Sequence, residues 1–193
     1  MNHCDLYPVI PSLHALAELQ EQLPALLAHE AVTALRLCFD SSLKQDQLET
    51  LRQMAWGHDV ALILAPAGLG LLKDVPLNRI DGVHLTRPAD VKTFASRKDC
   101  PRDLQIGCTC QTLDDAMSAG EQGADYICLP ASGPSSLTQW SLFAELPSVA
   151  EDVRTADEAL AAIQAGADFL AITLTPPAGE ALSRFATVSA ALS

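Results

Sequence analysis

Eight short apolar runs, each bounded by turn-forming or charged residues, constrain this chain more than any other feature. They are Leu6–Ile10, Val32–Phe39, Asp59–Ala65, Gly82–Thr86, Leu104–Cys110, Asp125–Pro130, Ser148–Ala150 and Phe169–Leu174. Their near-continuous hydrophobicity is that of parallel strands covered on both faces; a half-wet antiparallel strand would alternate apolar and polar residues. Stretches with helical spacing lie between them. Eight βα units in sequence predict an α/β fold, a small (β/α)8 TIM barrel whose right-handed crossovers close a parallel sheet on itself. With 193 residues, the chain is at the short end of that architecture. Minimal loops are therefore expected, and residues 1–193 read as a single domain. The alternative is an open doubly wound sheet, which would need about three of the eight strands to be misassigned.

The helical stretches carry their own boundary signals. Leu13–Ala28 has apolar residues at three- and four-residue steps, and Ser42–Trp56 follows a cap region at Asp40-Ser41-Ser42. "TLDDAMSAG" and "TADEALAAIQAG" open on Thr112 and Thr155, with Asp115 and Glu158 at the capping-box position. Gly120 and Gly166 close them as expected helix C′ residues. Gly68–Arg79 has room for about one helical turn, and a final helix is expected over Gly179–Leu192. "GADYICL" from Gly123 and "GADFLAI" from Gly166 are near-repeats, with a weaker echo in "IDGVHLT" from Ile80. The period is about 40 residues, one strand and one helix.

Composition narrows the function. Hydrophobic residues make up 49% and charged residues 19%, a globular balance. The start "MNHCDLYPVIP" lacks the basic opening and long apolar run of a secretory signal, and no run reaches the ~20 residues of a membrane span. A cytoplasmic protein is expected. A formal net charge of −12 opposes nucleic acid and anionic membrane as partners. It also gives no steering to a pyrophosphate, although a bound Mg²⁺ would compensate locally. Cys4, Cys38, Cys100, Cys108, Cys110 and Cys128 form no C-x-x-C pair. Cys108 and Cys110 share one strand face. They read as small hydrophobes of a reduced core, with a metal or redox role as the alternative.

Three segments carry a family likeness. "IDGVHLTRPAD", "IGCTCQTLDDAMSAGEQGADYICLP" and "AEDVRTADEALAAIQAGADFLAI" together resemble the thiamine phosphate synthase and thiazole tautomerase superfamily, from Leu6 to the end of the chain. The resemblance implies a (β/α)8 barrel. It also implies, for the synthases, the joining of a pyrimidine pyrophosphate to a thiazole phosphate with Mg²⁺ and release of pyrophosphate. That chemistry needs cationic donors and a metal to hold the leaving group.

Position by position, the likeness is partial. The family's Gln-x-Arg-x-Lys on the second strand is Ala34-Leu35-Arg36-Leu37-Cys38 here, so only the arginine is kept. Its Asn-Asp at the end of the third strand becomes Ala65-Pro66. Its metal-binding Asp after the fourth strand matches Asp90 with a one-residue insertion. A serine on the fifth strand aligns with Thr109, and the tautomerase His aligns with Gln111. The Thr-x-Thr-Lys loop becomes Ser135-Ser136-Leu137-Thr138. The two glycines of the phosphate turn fall on Asp152 and Val153, beside Glu151.

The resemblance therefore nominates Arg36, His84, Thr109 and Ser135 for a small-molecule substrate and Asp90 for Mg²⁺ if the synthase reaction is retained, with no cofactor otherwise. Glu151, Asp152 and Val153 form an altered phosphate turn. Glu151 or Asp152 is expected to fill the phosphate position and satisfy the following helix N-terminus. Each residue has a plainer reading: a structural ion pair for Arg36, a satisfied core histidine for His84, a helix cap for Asp90, interior filling for Thr109 and solvated loop acids for Glu151 and Asp152. Three functions stand side by side. They are a synthase with an altered site, a retired barrel that binds a ligand or partner, and an enzyme of another reaction at the same end of the barrel. Homo-oligomerisation fits all three.

Overall fold

The structure is a computed structural model that describes residues 4–192. Its strands are β1 (Asp5–Ile10), β2 (Ala34–Phe39), β3 (Ala61–Pro66), β4 (Gly82–Leu85), β5 (Gln105–Thr109), β6 (Tyr126–Pro130), β7 (Ser148–Glu151) and β8 (Phe169–Thr173). All pair in parallel with their sequence neighbours, and β1 closes on β8. Among the described residues the sheet is thus a closed barrel in the order β1 to β8, as the eight apolar runs predict. The open-sheet alternative falls. The helices are α1 (Leu13–Leu19), α2 (Leu23–Leu27), α3 (Gln45–Trp56), α4 (Pro88–Ala95), α5 (Leu113–Glu121), α6 (Pro134–Phe143), α7 (Ala156–Gln164) and α8 (Ala178–Ser189). Between β3 and β4 the connection holds only the 3-10 turns Leu69–Leu72 and Leu77–Arg79.

Local chemistry explains where the elements depart from expectation. The stretch Leu13–Ala28 is two helices, because Pro24 in the first turn of α2 lacks an N–H and its ring excludes the carbonyl four residues back; α1 stops with Gln20 as its C-cap. The third helix begins at Gln45, with Gln47 accepting the Lys44 N–H at 3.3 Å, so Asp40-Ser41-Ser42 is loop. Asp59 adopts φ 57° ahead of β3 and belongs to the turn. Thr112 and Thr155 do cap α5 and α7, accepting the N–H of Asp115 at 3.1 Å and of Glu158 at 3.2 Å. Gly166 is a left-handed C′ residue at φ +89°, but Gly120 lies inside α5 and that role passes to Gly123 at φ +105°.

The near-repeats have one structural meaning. Asp81, Asp125 and Asp168 each stand at a strand start and accept a backbone N–H from the start of the preceding strand. The acceptor–donor distances are 2.7 Å to Leu62, 2.8 Å to Ile106 and 2.8 Å to Ser148. The strands then pleat alternately outward and inward. Outward residues such as Leu35 and Leu37 join the main core beneath the helices. Inward residues form a second core of Tyr7, Val9, Ile63, Cys128, Val149 and Ala171. Unusually for a barrel interior, normally filled by branched aliphatics, Arg36 and His84 are buried there as well.

Candidate functional site at the barrel mouth

Residues at the C-terminal ends of the strands surround a cavity of about 350 Å³, lined in part by Arg36, Cys38, Ala65, His84, Thr109 and Glu151. A neighbouring cavity of about 320 Å³ shares Thr109 and Glu151 and extends to Gln111, Ser132, Asp152 and Arg154. Arg36 and His84 face inward because Leu35, Leu37, Val83 and Leu85, their chain neighbours, take the apolar outer side of the pleat.

The charge at the centre is paired. Arg36 is 3% exposed and its Nη2 forms an ion pair with Glu151 Oε1 at the end of β7. Its Nη1 lies 3.8 Å from Cys128 Sγ, and its guanidinium carbon lies 5.3 Å from the Tyr7 ring centre. Burial alone would lower the Arg36 pKa, but Glu151, and after it Tyr7 and Cys128, hold it well above its ordinary value. The cation is therefore permanent and already matched.

A hydrogen-bonded chain runs beside this pair through the barrel. Tyr7 Oη meets Tyr126 Oη at 2.8 Å, Tyr126 Oη meets His84 Nδ1 at 3.1 Å, and His84 Nε2 meets Thr109 Oγ1 at 2.8 Å. Burial, and then the Arg36 charge, push the His84 pKa well below its ordinary value. The imidazole is neutral at physiological pH, one ring nitrogen donating and the other accepting. Burial likewise raises both tyrosines, so the hydroxyls stay protonated.

Not all nominated residues meet here. Asp90 lies on the first turn of α4, where Arg87 takes both its oxygens, Nε to Oδ2 at 2.8 Å and Nη2 to Oδ1 at 2.9 Å. Ser135 is exposed on the first turn of α6. Neither lines the mouth cavities. The altered turn also differs from expectation. Asp152 has the left-handed φ of 59° that a glycine would adopt, but its carboxylate accepts from Arg154 Nε at 2.9 Å instead of reaching the α7 N-terminus. Thr155 and Glu158 already serve that end, Glu158 accepting the Arg154 N–H at 2.7 Å. Glu151 turns inward to Arg36, so it is not a solvated loop acid, and Val153 is buried with its N–H bonded to Ala171 O at 2.9 Å.

Tyr7, Tyr126 and Cys128 were not nominated, although they complete the network. One signal was available for Tyr126. It holds the same place in "GADYICL" as Phe169 in "GADFLAI", and both open a strand with an inward ring. Gly107 makes that ring possible, since a Cβ there would stand 2.0 Å from Tyr126 Cζ.

Comparison with known proteins agrees with this architecture. Residues 6–175 match the family model described as thiamine monophosphate synthase. The chain belongs to the thiamine monophosphate synthase family. A thiamine-phosphate synthase of Rhodospirillum centenum is 31% identical over 78% of this chain and 78% of its own length. Another, from Erythrobacter litoralis, is 34% identical over 53% of each, so the match spans about half of that relative. Among solved structures, the thiamine phosphate pyrophosphorylase of Pyrococcus furiosus superposes with a TM-score of 0.72 at 20% identity, covering 99% of this chain and 96% of that one. A tryptophan synthase structure from M. tuberculosis reaches 0.74 at 11% identity, covering 99% and 93%. At those identities the superpositions speak for the barrel alone.

Proposed function

We propose that this member of the thiamine monophosphate synthase family has a divergent mouth that binds a small molecule, with the Mg²⁺-dependent synthase reaction weak or lost. The Arg36–Glu151 pair carries the reading. In the family pattern, cationic side chains grip the pyrophosphate. Here the inward cation is neutralised from across the barrel, and the nearby Arg154 is neutralised by Asp152. An incoming pyrophosphate would have to displace Glu151 and then lie beside it. At about 4–6 Å and an effective dielectric near 20, each such like-charge contact costs roughly 3–4 kcal/mol.

The residues present do not fit a protein-held Mg²⁺. Asp90 is committed to Arg87, and Ala65 and Pro66 offer no side-chain oxygen where the family pattern has Asn-Asp. Among the described residues no cluster of three His, Cys, Asp or Glu side chains is suited to a metal. A second reading, an enzyme of a different reaction, is favoured by the 2.8 Å contact of Thr109 with His84, a hydroxyl and base at working distance. Burial beside Arg36 works against it, because an imidazolium there is disfavoured. No helix among the described residues is long and apolar enough to cross a membrane. With six free cysteines, a reducing cytoplasm is the compartment we assign, and residues 1–193 are taken as one barrel domain.

A coupled assay of pyrophosphate release, run with Mg²⁺ and both synthase substrates, tests the reading. We expect no turnover above background. Turnover within about tenfold of a typical 10 s⁻¹ would overturn it.

A further inference from the structure

The interior chain of Tyr7, Tyr126, His84 and Thr109 holds one hydrogen more than its contacts can use. Each hydroxyl carries one hydrogen and the neutral imidazole carries one, whereas three contacts, at 2.8, 3.1 and 2.8 Å, join the four groups. Among the described residues their polar atoms have no further hydrogen-bond partner. Both ring nitrogens of His84 are in contacts, so its hydrogen is always engaged and the spare one lies on a hydroxyl. On Tyr7 or Tyr126 it would be a donor without an acceptor inside the barrel, since Tyr126 Oη sits between Tyr7 and His84, each 2% exposed. Such a donor loses its hydration with nothing in return, and an acceptor with an unused lone pair is tolerated better. Thr109 is half-buried and lines both mouth cavities, so a spare hydrogen there meets open space. The chain then runs one way. Tyr7 donates to Tyr126, Tyr126 donates to His84 Nδ1, and His84 Nε2–H donates to Thr109.

We propose that Thr109 is a directed hydrogen-bond donor at the mouth that selects an uncharged ligand by its carbonyl oxygen, with Tyr7, Tyr126 and His84 as positioning residues. The proposal rests on the reading that the mouth binds a small molecule. The reverse direction would turn a Thr109 lone pair to the cavity and select a donor instead, so the direction of the chain decides the chemistry of the ligand. A hydroxyl that accepts from the imidazole is polarised and donates more strongly. Glu151 in the same lining disfavours an anionic acceptor, while Phe39, Ala65 and Pro66 take up an apolar body.

Nitrogen-15 NMR of the histidine-labelled full chain, with His84 assigned by the loss of its signals in His84→Leu, should find Nε2 protonated and Nδ1 bare. Cyclopentanone and pyrrole are small uncharged rings, the first a hydrogen-bond acceptor only and the second an N–H donor only. NMR titration should find cyclopentanone bound at least about threefold more tightly, the effect of one neutral hydrogen bond. Thr109→Val keeps the shape of the side chain and should remove that preference. His84→Leu frees the Thr109 hydroxyl to turn either way and should reduce the preference too, whereas a merely structural loss would weaken both probes alike. If neither variant folds, the nitrogen signals and the two titrations of the parent still test the direction. A protonated Nδ1, equal affinities, tighter binding of pyrrole, a preference retained in Thr109→Val, or binding of neither probe would each overturn the proposal. The first four leave the wider reading of the mouth standing, which the pyrophosphate assay tests by itself.

Discussion

Arg36 lies in the interior only because Glu151 reaches it from a strand 115 residues further along the chain. A buried ion pair of this kind contributes little net stability, since desolvation of both ions offsets their attraction. In the proposed reading its effect is on what the mouth accepts. The sequence makes Arg36 and His84 conspicuous, as polar residues within apolar runs, but it does not reveal their partners. Contacts between β2 and β7, or between β4 and β6, are set by barrel closure and not by local spacing. The consequence for His84 is measurable. Its folded-state pKa is depressed below the ordinary 6.5, first by burial and then by Arg36, while Tyr126 and Thr109 hold the neutral ring. The unfolded chain therefore binds the proton more readily than the folded one. The contribution of His84 to stability is complete above the unfolded value and is lost as pH falls through it toward the folded value. Urea unfolding between about pH 7.5 and 5.5 should show the parent losing up to about 1.4 kcal/mol per pH unit more than His84→Gln. Parallel pH profiles of the two proteins would mean that the ring takes up a proton inside the fold.

Element boundaries were legible wherever a side chain acts on its own backbone. Thr112 and Thr155 cap as their spacing predicts, and Pro24 ends one helix and starts the next. The signal fails where tertiary packing decides. Gly120 looks like a helix stop, yet it lies inside α5, where an added Cβ would stand 2.9 Å from Leu146 Cδ1. The left-handed residue comes three positions later. The near-repeats were visible as a pattern, but their role was not, because each aspartate serves a strand 19 or 20 residues earlier. These side chains pair N–H groups at strand starts, so removing one should unpair a buried residue's amide. Asp168→Ala is expected to cost about 1–2 kcal/mol in urea unfolding, through the Ser148 N–H and the weaker 3.4 Å contact to its hydroxyl. Asp103→Ala, at an exposed loop position, should stay within about 0.5 kcal/mol. Equal effects at the two sites would remove the special role of the repeat aspartates.

Closure of the whole barrel follows from the number and order of the apolar runs, which is why the architecture was readable, whereas Asp90 and Ser135 lie away from the mouth cavities. Asp90 and Ser135 were placed by likeness in chain order, and order does not fix which way a loop side chain points. The net charge is a property of the molecule as a whole. Twelve basic residues face 24 acidic ones; if every base were paired, half of the acids would still face only one another. Salt then acts in two directions. It weakens exposed pairs such as Arg87–Asp90 and Arg154–Asp152, whose arginines are 73% and 63% exposed, but each such pair is worth only about 0–1 kcal/mol. It also screens the repulsion among the excess acids, since the Debye length falls from about 30 Å at 0.01 M to about 8 Å at 0.15 M. The repulsive sum should dominate, because it involves more charges and needs no fixed geometry. Raising NaCl from about 0.01 M to about 0.15 M is therefore expected to increase the thermal midpoint. A midpoint that falls with salt would mean that the ion pairs outweigh the excess charge, and that the acids are placed so as to avoid one another.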